Sequence, residues 1–156
     1  MEIFSASGEQ LAILGRVTLA MLLGALIGIE REVADKPAGL RTHMLVAGAA
    51  ALLVGLGQVT IDHFNLTTGT ALRTDPIRII EAVVTGVAFL GAGTIIRGQQ
   101  GDVSGLTTAA SLLFAAATGV AIALSQWVLG VAVVLLVLLT LLIPQRFEQK
   151  LRNLDR

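Results

Sequence analysis

The chain contains no cysteine, so disulfides, thiol nucleophiles and thiolate metal sites are all excluded. Tyrosine is absent as well, and histidine occurs only as His43 and His63, in loops read to opposite sides, which cannot share one zinc ion. No HExxH occurs, and the glycines are not followed by the Lys-Ser/Thr of a nucleotide-binding loop. No Ser-His-Asp or Cys-His set can be assembled on one side, so no catalytic residue is expected and the chain does not read as an enzyme. Charge is scarce: 11 basic residues balance 11 acidic ones. That balance gives no reason to expect a nucleic-acid partner. The first residues, MEIFSASGEQ, lack a basic region and do not form a cleavable signal.

What the chain has instead is length of apolar sequence. It is 54% hydrophobic with a mean hydropathy of +0.82, well above a soluble domain. Five continuous apolar runs, about 11–29, 42–61, 77–96, 106–124 and 127–143, each offer roughly 17–20 residues, or roughly 25–30 Å of helix, enough to cross a bilayer. None carries the wide polar stripe of a soluble amphipathic helix, and none alternates as a barrel strand does. The predicted fold is an all-α polytopic membrane protein of about five transmembrane helices in a single domain, residues 1–156, with the lipid bilayer as its first partner.

Lys and Arg set the predicted orientation. Arg31, Lys36, Arg41, Arg97, Arg146, Lys150, Arg152 and Arg156 fall on one side; Arg16, Arg73 and Arg78 fall on the other. The positive-inside rule places the C-terminus in the cytoplasm and the N-terminus outside. Trp127 then opens the fifth span at the outer interface. After Pro144, residues 144–156 read as a short amphipathic tail on the inner leaflet, with Phe147, Leu151 and Leu154 at helical spacing.

Glycine marks the faces where helices meet. Gly24 and Gly28 are four apart in the first span, Gly48, Gly55 and Gly57 lie in the second, and Gly86, Gly91 and Gly93 lie in the third. Small residues at such spacing let helices approach closely. The cluster FLGAGTIIRGQQGDVSG reads as a broken helix end beside a cavity. Thr74-Asp75-Pro76 is a helix start, with Asp75 as N-cap, and Ser104 and Thr107 are candidate caps for the fourth helix. Asp75 also stands as a candidate cation or proton site. Arg16 is expected to snorkel outward, and Glu81 is expected to pair with Arg78 on one face of the third helix. At the first turn, Glu30 is a candidate partner for Arg41 across the bend made by Pro37 and Gly39.

Three segments carry a family resemblance: LLGALIGIEREVADKPAGLRTHMLVAGAAALL, DPIRIIEAVVTGVAFLGAGTII and VSGLTTAASLLFAAATGVAIAL. Together, and in this order, they resemble the MgtC/SapB family of bacterial membrane proteins over most of residues 11–124. The residues matching the family pattern include Glu30, Arg31, Lys36, Pro37, Gly39, Arg41 and Thr42, then Asp75, Gly91, Gly93, Gly105, Thr107 and Thr108. The resemblance implies a multi-pass protein of the bacterial inner (plasma) membrane. It also implies a non-enzymatic regulator tied to magnesium limitation, membrane energetics and virulence-type survival, with other membrane proteins, an ATP-synthase-like target among them, as partners. Many members continue into an ACT-like soluble domain, which this sequence does not include. The fourth segment also reads Leu112-Leu113-Phe114 where a Trp is often found.

Two functional readings follow. In the first, a regulator, Glu30, Arg31, Arg41 and Thr42 form an interaction or lock site at the inner face, and the glycine faces serve for packing or partner contact. In the second, a Mg²⁺ or other cation transporter or channel, Asp75 and Glu81 supply oxygen ligands, ideally paired across a homodimer. No organic cofactor is expected under either reading.

Overall fold

The computed structural model describes residues 2–68, 75, 77–97 and 103–154, with side-chain surroundings for 7–63, 75, 77–96 and 103–142. Five helices carry the fold: α1 (Glu2–Val33), α2 (Leu40–Thr68), α3 (Ile77–Thr94), α4 (Leu106–Ala123) and α5 (Trp127–Leu154). Four have stretches long and apolar enough to cross a membrane, namely Ser7–Val33, Leu40–His63, Ile77–Thr94 and Leu106–Ala123; α5 adds the apolar stretch Trp127–Leu142. Between α3 and α4 lies a minimal antiparallel ladder, β1 (Ile96–Arg97) with β2 (Val103–Ser104), pairing Ile96 with Ser104 and Arg97 with Val103. The glycine cluster thus ends one helix, makes a short hairpin and begins the next.

α1 and α2 form an antiparallel hairpin, and α4 packs into it while also touching α3 and α5. The core is built from small side chains: Ala20, Ala47, Ala50, Ala115, Ala116 and Ala123, with Ile27, Leu112, Ile122 and Val134 among them. Small residues draw the backbones together, which is how helices gain packing energy where lipid is as apolar as the helix faces. α3 buries only the stripe Val83, Val87 and Gly91, against α4 and α2. Its Phe89 is 80% exposed, as suits a side chain facing lipid.

The helices run past the apolar spans. α1 begins nine residues before Leu11, and α2 continues to Thr68. The residues expected to form a short amphipathic tail continue the last helix: α5 runs through Pro144 to Leu154. Proline costs a helix one hydrogen bond, but the residues after it, QRFEQKL, are nearly all good helix formers. Thr74, Pro76, Arg73, Arg97 and the tail side chains Arg146, Phe147, Lys150, Leu151, Arg152, Leu154 and Arg156 lie outside the described side-chain environments, and so do Gly98 and Gly101 of the cluster.

Two helix ends are closed by non-glycine residues in the left-handed region. At α1, Asp35 (φ 53°) sits where the Lys36 N–H donates to Arg31 O at 3.0 Å and the Asp35 N–H to Glu32 O at 3.1 Å. At α4, Ser125 (φ 60°) holds the same place: the Gln126 N–H donates to Ala121 O at 2.8 Å and the Ser125 N–H to Ile122 O at 3.0 Å. Both are Schellman ends, where glycine is preferred because a Cβ is strained at positive φ. Ser125→Gly should therefore raise stability by about 1 kcal/mol. The readout is a higher thermal midpoint in detergent; an unchanged or lower midpoint would refute the strain argument.

Candidate functional site

The strongest concentration of buried polar groups lies where α1 ends and α2 begins. Arg31 is 2% exposed and Glu30 9%. They form a two-pronged ion pair, Arg31 Nε donating to Glu30 Oε2 at 2.6 Å and Nη2 to Oε1 at 2.9 Å. Successive residues on a helix do not normally face each other; the long arginine side chain folds back to meet its neighbour. Glu30 therefore pairs with Arg31 and not with Arg41, which is exposed, as is Thr42. The four residues expected to form one lock divide into a buried pair and an exposed pair.

The next acid of the ERE motif has a different task. Glu32 reaches across the turn and its Oε2 accepts the N–H of Leu40, the first residue of α2, at 2.7 Å. It thereby satisfies one of the orphan donors at a helix start and places a negative charge at the positive end of the helix. Gly39 makes this contact available, because a Cβ there would run into the Glu32 carboxylate. Glu32→Ala should cost about 1 kcal/mol, read as a lower thermal midpoint, while Glu32→Gln, which keeps an acceptor oxygen, should lose less. Equal losses would assign the effect to charge alone.

His43, fully buried, ties the hairpin to α4. Its Nδ1 lies 2.9 Å from Gly39 O and its Nε2 lies 3.0 Å from Ser111 Oγ. A carbonyl only accepts, so Nδ1 carries a proton. In a ring with a single proton Nε2 then accepts from the Ser111 hydroxyl, which also lies 2.8 Å from Thr108 O as an alternative acceptor. Sequence reading considered His43 only as a zinc ligand and gave Ser111 no role. The available signal was position: His43 shares the buried face of α2 with Val46, Ala47, Ala50 and Val54, at helical spacing. Gly24 and Gly28 stand opposite, where a Cβ would meet His43 O at 2.6 Å or Leu40 Cα at 2.7 Å.

Beside this network opens a polar cleft of about 410 Å³. Arg31, Asp35, Lys36, Ser104, Thr107 and Thr108 line it. The start of α4 borders it: Gly105 is the N-cap, at φ 89°, and gives no side-chain cap. Ser104 and Thr107 therefore do not cap α4 as expected; the Ser104 hydroxyl instead approaches Ile96 O at 3.4 Å. Glycine is required at 105, since a Cβ would collide with Thr94 O.

The other candidates lie at the far end of the bundle. Asp75 Oδ1 accepts the N–H of Ile77 at 3.0 Å, which is the geometry of a helix cap. Glu81 is exposed on α3 and makes no ion pair with Arg78; at the helix surface each head is free to take solvent or lipid headgroups instead. Arg16 does not simply snorkel: its Nη1 donates to Ala123 O at 3.1 Å, a cation on the C-terminal carbonyls of α4. Gly91 packs tightly on Ala109, whose Cβ would lie 3.3 Å from an added Cβ, whereas Gly86 and Gly93 have nothing within 4 Å. Among the described residues no group of three His, Asp or Glu side chains converges as a metal site would.

A bundle of long apolar helices with a buried ion pair and a histidine link at one end defines a multi-helix membrane protein. The MgtC family profile matches residues 17–150, and the chain belongs to that family. Among curated proteins it is 39% identical to Protein SrpB of Synechococcus elongatus, covering 89% of this chain and 78% of that one. It is 38% identical to the putative magnesium transporter YhiD of Escherichia coli, covering 88% of this chain and 63% of the relative. Protein MgtC of Salmonella typhimurium is also 38% identical, with 86% and 53% covered. An uncharacterized protein of Haemophilus influenzae is 37% identical, and the chain spans 47% of its length. The chain thus spans about half to three quarters of these relatives. No solved structure matches.

Proposed function

We propose that this chain is a non-enzymatic regulator in the bacterial inner membrane, N-terminus outside, acting through contacts with other membrane proteins under magnesium limitation. One observation carries the reading: of four acids at the two ends of the bundle, Glu30, Glu32, Asp75 and Glu81, all but the exposed Glu81 already serve the fold. Glu30 holds Arg31, Glu32 caps α2 and Asp75 caps α3. Magnesium takes oxygen ligands in near-octahedral geometry, commonly one or two carboxylates with retained water. Asp75 and Glu81 stand at the end of the bundle opposite Glu30 and Glu32, and among the described residues no line of acids joins the two ends through the small-residue core.

The transporter reading draws on the Escherichia coli relative, which is named a putative magnesium transporter. Mg²⁺ flux into liposomes containing the purified chain separates the two. The expected result is no flux above protein-free liposomes, with Asp75→Ala indistinguishable from wild type. Uptake abolished by Asp75→Ala would overturn the regulator and establish Asp75 as a cation ligand.

A further inference from the structure

The polar cleft does not end at its polar residues. A second cavity, of about 310 Å³, lies between α4 and α5 and shares Thr107, Thr140 and Leu141 with it. Its walls are apolar: Phe114, Val133, Leu136 and Val137. One continuous groove therefore has a polar head and an apolar body. From Thr107 to Phe114 on α4, and from Thr140 to Val133 on α5, the body is about 10 Å long at 1.5 Å per residue. That fits within one leaflet of a hydrocarbon core about 30 Å thick.

The polar head favours a phosphate group. Arg31 spends Nε and Nη2 on Glu30, and its Nη1 takes no partner among the described residues while Arg31 lines the cleft. Lys36 adds a second cation, and the start of α4, without a side-chain cap, adds backbone N–H groups beside the Thr107 and Thr108 hydroxyls. Guanidinium, ammonium and a free helix start are the groups that hold phosphate oxygens. Asp35, also at the cleft, tolerates a headgroup carrying an amine or hydroxyl beyond the phosphate. A soluble phosphate would use the head and leave the apolar body bare; a helix of another protein would use the body and leave the cations unmatched.

We propose that the groove is a glycerophospholipid site, with the phosphodiester at Arg31 and Lys36 and one acyl chain between α4 and α5. It stands whether the protein regulates or transports. The test is native mass spectrometry of the full chain released from detergent after titration with phosphatidylglycerol, diacylglycerol of the same chains, or glycerol phosphate. Phosphatidylglycerol should be retained at least about tenfold better than diacylglycerol, the margin of one charge-assisted contact. Lys36→Gln should reduce that margin severalfold, and Val137→Trp, which fills the body, should remove retention while the thermal midpoint without lipid stays within a few degrees. A Val137→Trp chain that does not fold is replaced by Leu136→Phe, read the same way. Equal retention of the two lipids overturns the proposal, and so does glycerol phosphate binding that Val137→Trp leaves intact. Specific crosslinking of a photoreactive residue at 136 to a membrane protein in place of lipid also overturns it.

Discussion

Glu30→Ala should lower the stability of the folded bundle by roughly 3–5 kcal/mol, the usual cost of stripping the partner from a buried charge. Arg31 is 2% exposed, and its Nε and Nη2 both donate to the Glu30 carboxylate. Without that carboxylate the guanidinium must either stay buried and uncompensated or swing into the cleft, pulling the end of α1 with it. The measurement is the midpoint of unfolding on titration of mild detergent with a denaturing one, followed by Trp127 fluorescence. Glu30→Leu with Arg31→Met in one chain should recover most of the loss, because replacing a whole buried ion pair with apolar side chains of similar size is often neutral. If the double variant were as unstable as the single, the loss would belong to packing of the α1 end and the ion pair would be secondary.

That pair also shows how far the sequence could be read. The helices were legible, since an uninterrupted apolar run of membrane length leaves few alternatives. The turn between α1 and α2 was legible from Pro37 and Gly39, and the α3 cap from Asp75. The pairing of Glu30 was not. Helical periodicity says that residues one apart point in different directions, so the sequence sends Glu30 across the turn to Arg41. What brings Glu30 and Arg31 together is burial, imposed by helices distant in the chain. His43 was hidden for a related reason: its partner Ser111 is 68 positions away, supplied by α4. The continuity of α5 through Pro144 was not legible because the fifth run was bounded where its apolar residues end, and hydropathy marks the end of a span and not the end of a helix.

Gly119→Ala should destabilise the protein by roughly 1–3 kcal/mol, the cost of overpacking a tight contact, while Gly86→Ala should stabilise it by about 1 kcal/mol. The substitution is the same, and intrinsic helix propensity favours alanine at both sites. Surroundings decide the sign. A Cβ at 119 would collide with the backbone oxygen of Ala47 and meet Ala50 Cβ at 3.1 Å. A backbone atom in the middle of α2 cannot turn aside as a side-chain tip can, so α4 and α2 must separate. Their shared seam includes Ala47, which Gly24 of α1 approaches from its other side, with 2.8 Å from an added Cβ to the Ala47 side chain. Loosening it would reach the His43–Ser111 link on the same two helices. Gly86 has open space around it, so alanine there gains helix propensity without a clash. Paired unfolding measurements test both signs, and their dependence on protein concentration adds a further reading. If the Gly86 face of α3 were buried against a second copy, Gly86→Ala would lower the midpoint and weaken self-association. A rise in midpoint with no change in association would leave that face of α3 to lipid, with its glycine contact to α4 made by Gly91 alone among the described glycines of α3.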